Sequence, residues 1–134
     1  MKNFNDLIYP ELSYKITGIL FAVHNQLGRF CNEKQYADAI EAAFKGQGLK
    51  YEREKVLDPS FAAEMPGRNK IDFIVEDKII LEIKSSRMLT KENYYQVVRY
   101  LRALNKKLGL LVNFRAKYLE PKRILNSQVK AISN

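Results

Sequence analysis

The stretch KIDFIVEDKIILEIKSS, residues 70–86, reads as two apolar strands with ionisable groups set inside them. Side chains alternate across a strand, so Ile71, Phe73 and Val75 share one face, as do Ile79, Leu81 and Ile83. Both of these faces are wholly apolar and belong against a core. For them to lie on one side of a hairpin, paired residue numbers must sum to an even value. Pairing Val75 with Ile79 meets this and leaves a loop of Glu76, Asp77 and Lys78. That register sets Asp72 opposite Glu82, with Cβ atoms about 5 Å apart. Like charges facing each other are unfavourable unless a cation lies between them. Two carboxylates with Lys84 alongside make a small hard-cation site of the kind that holds Mg2+. The plainer alternative is a salt-bridged hairpin in which Lys84 neutralises the acids at a solvated edge.

Around this hairpin the pattern is mixed. Ile16, Ile19, Leu20, Val23 and Leu27 form a helical stripe over residues 12–27, with Ser13 expected as cap and Gly28 as stop. A second stripe runs through Tyr36, Ala39, Ile40, Ala43 and Phe44. Residues 50–57 read as a weak strand, and residues 58–69 (DPSFAAEMPGRN) as a turn-rich connection. Strands follow at 70–76 and 79–84. Thr90 is expected to cap a third helix with stripe Tyr94, Val97, Val98, Leu101 and Leu104. LGLLVNF, 108–114, suits a buried strand, and a short strand or turn falls near 122–126. This order predicts a single domain over residues 1–134, an α/β fold with a mixed central β-sheet flanked by helices.

The 134-residue chain is 46% apolar and 28% charged, an ordinary folded composition rather than a disordered one. Cys31 is its lone cysteine, so an internal disulfide is excluded and a reducing, cytoplasmic setting is expected. The first residues lack the apolar core of a signal peptide, and ITGILFAV is too short to span a membrane. The net charge of +8 is unevenly placed. From Arg99 onward stand Arg99, Arg102, Lys106, Lys107, Arg115, Lys117, Lys122, Arg123 and Lys130, against Glu120 alone. Such asymmetry points to a polyanion partner such as nucleic acid, with a solvated basic surface as the alternative.

Asp72 followed by Glu82-Ile83-Lys84 resembles the active-site signature of the PD-(D/E)XK nuclease superfamily. Gln96-Val-Val-Arg-Tyr100 resembles the Gln-x-x-x-Tyr element of its RecB-like members. Four segments, LSYKITGILFAVHNQLG, EKQYADAIEAA, IDFIVEDKIILEIKS and YLRALNKKLGLLVNF, resemble the GxxExxY proteins of the same superfamily. There is one departure: with Glu33 and Tyr36 aligned to that motif, Phe30 replaces its glycine.

The resemblance implies a restriction-endonuclease-like core and phosphodiester hydrolysis, most readily of DNA, dependent on Mg2+ or Mn2+. Asp72, Glu82, the Ile83 carbonyl and Glu33 are then the expected metal ligands. Lys84 would orient the attacking water, and Gln96 would hold Lys84 or a phosphate. Tyr100, Arg99, Arg102, Lys106, Lys107 and Arg115 are expected to contact nucleic acid. Tyr36 is expected mainly to pack, with its hydroxyl bonded toward the site, and His24 to be structural. A silent nucleic-acid-binding module with the same fold is the competing expectation, and a protein-interaction domain a third. The small size favours a homodimer, and no membrane partner is expected.

Overall fold

The computed structural model describes residues 8–126; Lys130 lies outside them. Two helices come first, α1 (Pro10–Leu27) and α2 (Glu33–Gly46). The strands β1 (Tyr51–Val56), β2 (Lys70–Val75) and β3 (Ile79–Lys84) follow, then α3 (Lys91–Leu104), β4 (Leu108–Asn113) and β5 (Lys122–Leu125). The strands form one sheet in chain order, β1 to β5. Neighbours run antiparallel except β3 and β4, which are parallel and joined through α3. A parallel pair needs such a crossover, because a tight turn cannot return the chain to the same end.

Two cores lie on opposite faces of the sheet. Ile16, Leu20, Ile40 and Phe44 of the first two helices pack with Phe73, Val75, Leu81, Leu110 and Val112. On the other face Val97, Tyr100 and Leu101 of α3 pack with Ile74, Ile80, Leu111 and Ile124. The interior strand β4, covered on both sides, is buried throughout, as its unbroken apolar run requires. At Gly109 a Cβ would meet Val97 Cγ1 at 2.6 Å, so the absence of a side chain there sets how closely α3 descends on the sheet.

Helix starts follow local chemistry, with one correction. Asn32 caps α2 and Thr90 caps α3, each in a reciprocal capping box with the residue three positions on. Ser13, expected to cap α1, lies inside that helix and is buried; Tyr9 precedes it and Pro10 opens it. Proline wins because its fixed φ suits the first helical turn, where its missing N–H is no loss. The stripe of α3 is also rotated from expectation. Tyr94 is exposed and Tyr100 is buried.

Candidate active site at the open end of the hairpin

The β2–β3 hairpin has the anticipated register: Val75 pairs with Ile79, Ile74 with Ile80 and Phe73 with Leu81. At its tip Glu76 and Asp77 both take left-handed φ values, which suits the twist of a tight hairpin. The next pair in the ladder, Asp72 with Glu82, is not made as backbone pairing. The Asp72 N–H instead donates to Glu82 Oε1 at 2.9 Å, and the Ile83 N–H donates to Asp72 Oδ2 at 2.7 Å. Each carboxylate thus takes the place of a carbonyl from the opposite strand, and the strands part around the pair.

Asp72 is unpaired on its other side too, where Glu54 of β1 has a φ of 55° and drops out of the β1–β2 register. This break corrects one expectation. Ile71 does not join Phe73 and Val75 but packs in the α3-side core with Ile74 and Ile80. Strict alternation fails because it presumes an unbroken ladder, and here the ladder breaks one residue earlier.

Burial and mutual proximity govern the charges. Glu82 is 3% exposed, and burial, followed by the neighbouring Asp72 charge, pushes its carboxyl up to about 8. Asp72 is also raised, first by burial and further by Glu33, against the opposing pull of the Ile83 N–H and Lys84. Two close, buried carboxyls of this kind resist ionising together, and a cation between them would relieve that repulsion. One oxygen of each carboxyl is engaged by a backbone N–H, leaving the other oxygen of each for such a cation. In an extended strand a residue's N–H and C=O project to the same edge. Since the Ile83 N–H faces Asp72, its carbonyl also faces the gap, adding a third hard oxygen. This oxygen set fits Mg2+ or Mn2+.

Lys84 follows on the same strand, and its Nζ donates to Gln96 Oε1 at 3.2 Å across from α3. Glu33, in the first turn of α2, accepts the Ser85 N–H at 3.1 Å. It shares a cavity of about 160 Å³ with Asp72 and Ile83. It does not close on the acidic pair, for among the described residues no three His, Cys, Asp or Glu side chains converge as a metal cluster.

Other expected residues are scattered. Tyr100 does not present itself to a ligand: it is 2% exposed, and its hydroxyl donates to the Lys70 carbonyl at 3.3 Å. Its carboxylate neighbour Glu82 and burial push its hydroxyl up to about 12, burial being the larger cause. Lys106 is drawn to the opposite end of the sheet, where it binds the Asp77 carboxylate and carbonyl at 2.9 Å. Lys107 precedes β4 at that same far end. Arg99 and Arg102 are exposed along α3, past Gln96. Arg115 alone of this group reaches the end that carries the acidic pair, beyond Asn113, which pairs with Lys84.

His24 is structural as expected, its Nε2 at 2.9 Å from the Ala116 carbonyl. Tyr36 stacks on Phe114 with ring centres 4.2 Å apart. Its hydroxyl donates to the Gly28 carbonyl at 2.6 Å and accepts the Cys31 N–H at 3.2 Å, clamping the α1–α2 turn. Sequence reasoning passed over Ser85, whose hydroxyl donates to the Cys31 carbonyl at 3.1 Å. It also passed over Asn113, whose side chain bonds both the N–H and the carbonyl of Ser86. The adjacent polar residues after Lys84 were the available sign that the strand end is tied down.

A mixed five-stranded sheet flanked by helices, with an acidic pair and a lysine at an opened hairpin, defines the restriction-endonuclease-like class of fold. The family model for the PD-(D/E)XK nuclease superfamily matches residues 10–124, and the chain belongs to that superfamily. The crystal structure of SSO0001 is similar in fold, with a TM-score of 0.51 at 14% identity, covering 98% of this chain and 85% of that one. No curated protein matches the chain. No helix among the described residues is long and apolar enough to cross a membrane.

Proposed function

We propose that this chain is a single-domain, metal-dependent nuclease of the GxxExxY type that hydrolyses phosphodiester bonds, with DNA as its substrate. The observation that carries this reading is the local opening of the hairpin. Two carboxylates, both resisting ionisation, sit where a backbone ladder would otherwise run, and a lysine held by Gln96 stands next to them. A salt-bridged structural hairpin needs no such break. It also predicts a direct Lys84 contact to the acids, whereas Lys84 Nζ donates to Gln96.

In this reading Asp72, Glu82 and the Ile83 carbonyl hold Mg2+ or Mn2+, and Glu33 adds negative charge from the same cavity. The bound cation supplies Lewis-acid stabilisation of the phosphate and a more acidic water. Lys84 orients the attacking water and offsets charge gathering on the phosphate oxygens. Gln96 positions the ammonium through its Oε1. The water would give up a proton to solvent as its oxygen bonds to phosphorus, the bond to the departing sugar oxygen would break, and that oxygen would take a proton from solvent.

The test is cleavage of assorted DNA and RNA with and without Mg2+ or Mn2+, comparing wild type with Lys84→Ala. Cation-dependent cleavage that disappears in Lys84→Ala is expected. Full-rate cleavage by Lys84→Ala would sink the mechanism. Absence of any cleavage, with salt-sensitive binding retained, would instead assign the silent module.

A further inference from the structure

The nuclease reading leaves one conspicuous surface feature unused. Phe30, in the turn between α1 and α2, is 76% exposed. The Arg29 guanidinium lies 5.1 Å from its ring centre and that of Arg115 5.6 Å. We propose that Phe30, with Arg29 and Arg115, is a stacking platform that seats an unpaired nucleobase beside the acidic site, so that single-stranded or frayed nucleic acid is preferred over intact duplex. The choice of nucleic acid as partner rests on the nuclease reading.

Three observations support it. The platform is rigid at its base. The Tyr36 hydroxyl ties Gly28 to Cys31, and Arg29 Nε donates to the Arg115 carbonyl at 2.8 Å, fastening the turn to the end of β4. A rigid aromatic offers contact area at little cost in conformational freedom. Next, the platform is continuous with the site. Phe30, Arg115, Lys34, Glu33 and Ser85 line one open cavity of about 510 Å³, and Ser85 directly follows Lys84. Finally, the charges fit. Arg29 and Arg115 lie against the ring and Lys34 lines the same cavity, against Glu33 alone, so a base on the aromatic face has cations within reach of its flanking phosphates. A base within a duplex already has its faces covered by neighbours, and this is why the platform selects an unstacked one.

The chain contains no tryptophan, so Phe30→Trp introduces a single indole whose fluorescence is quenched when a base stacks on it. The folded variant, checked by circular dichroism, is titrated in EDTA with oligothymidylate, an abasic phosphodiester strand of equal length, and a blunt duplex. Saturable quenching by oligothymidylate, little by the abasic strand, and duplex quenching only at about tenfold higher concentration are expected. Anisotropy with labelled oligothymidylate should show Phe30→Ala binding about tenfold more weakly than wild type, with Phe30→Trp close to wild type. Equal quenching by the abasic strand would reduce the feature to phosphate contact and overturn the platform, as would equal response to duplex or no response to any strand. Because cleavage is blocked in EDTA, a platform that binds while wild type never cleaves in Mg2+ would reject the nuclease reading alone. Cation-dependent cleavage with no effect of Phe30→Ala on binding would reject the platform alone.

Discussion

Asp72 and Glu82 each serve the backbone and carry a charge, and these two duties conflict in a way that can be measured. Burial keeps Glu82 protonated well above its usual value of 4.5, up to about 8. The folded state therefore holds a proton that the unfolded state releases, and stability of the metal-free protein falls as pH rises between those two values. Urea unfolding in EDTA at pH 5 and pH 8 should show the lower midpoint at pH 8. Glu82→Gln should shrink that difference and raise the midpoint at pH 8. Under the proposed mechanism Lys84→Ala should cost at least about 100-fold in activity, since it would remove the cation assigned to the phosphate. Gln96→Ala, which leaves the lysine in place but unheld, should cost about tenfold. Steady-state rates on one substrate compare the two, and an equal loss in both would argue against a merely positioning role for Gln96.

Among the elements, α3 carries the positioning, and its seat is Gly109. A Cβ there would strike the stiff, buried Val97, the residue next to Gln96. Gly109→Ala should cost about 1–3 kcal/mol, as overpacked cores do, and lift Gln96 from Lys84. Denaturant midpoints would register the first effect and a lowered cleavage rate in the folded variant the second. The elements were largely legible in sequence because their signals are local: period-2 alternation in the hairpin, the capping residue Thr90, the apolar run of β4. Asp72, Glu82 and Lys84 were legible for the same reason, since one hairpin register brings them together. What escaped the sequence depends on distant partners. Ile71 changed face because of a backbone irregularity at Glu54 on a neighbouring strand. Tyr100 proved buried because α3 rolled to seat Val97 against Gly109. Lys106 and Lys107 went to the far end because β4 runs parallel to β3, which no charge count reveals.

For the whole molecule, the positive excess is not one surface. Arg115 stands at the site end and Lys106 and Lys107 at the other, so they should differ in effect. Arg115→Ala should weaken nucleic-acid binding severalfold and lower its salt dependence by about one counterion. Lys106→Ala, which mainly frees Asp77, should leave both nearly unchanged; anisotropy across a salt series separates them. The site end is also joined by ties between residues far apart in the chain. Ser85 meets Glu33 and Cys31, Arg29 reaches Arg115, and His24 reaches Ala116. During synthesis, then, a chain that has already emerged as far as Lys84 possesses every proposed ligand yet lacks the strand and turn that assemble them. Glu82 pairs with Leu111 of β4, so its surroundings are complete only once β4 has docked. On the proposed reading, such a chain would stay inactive until β4 and the turn after it are in place.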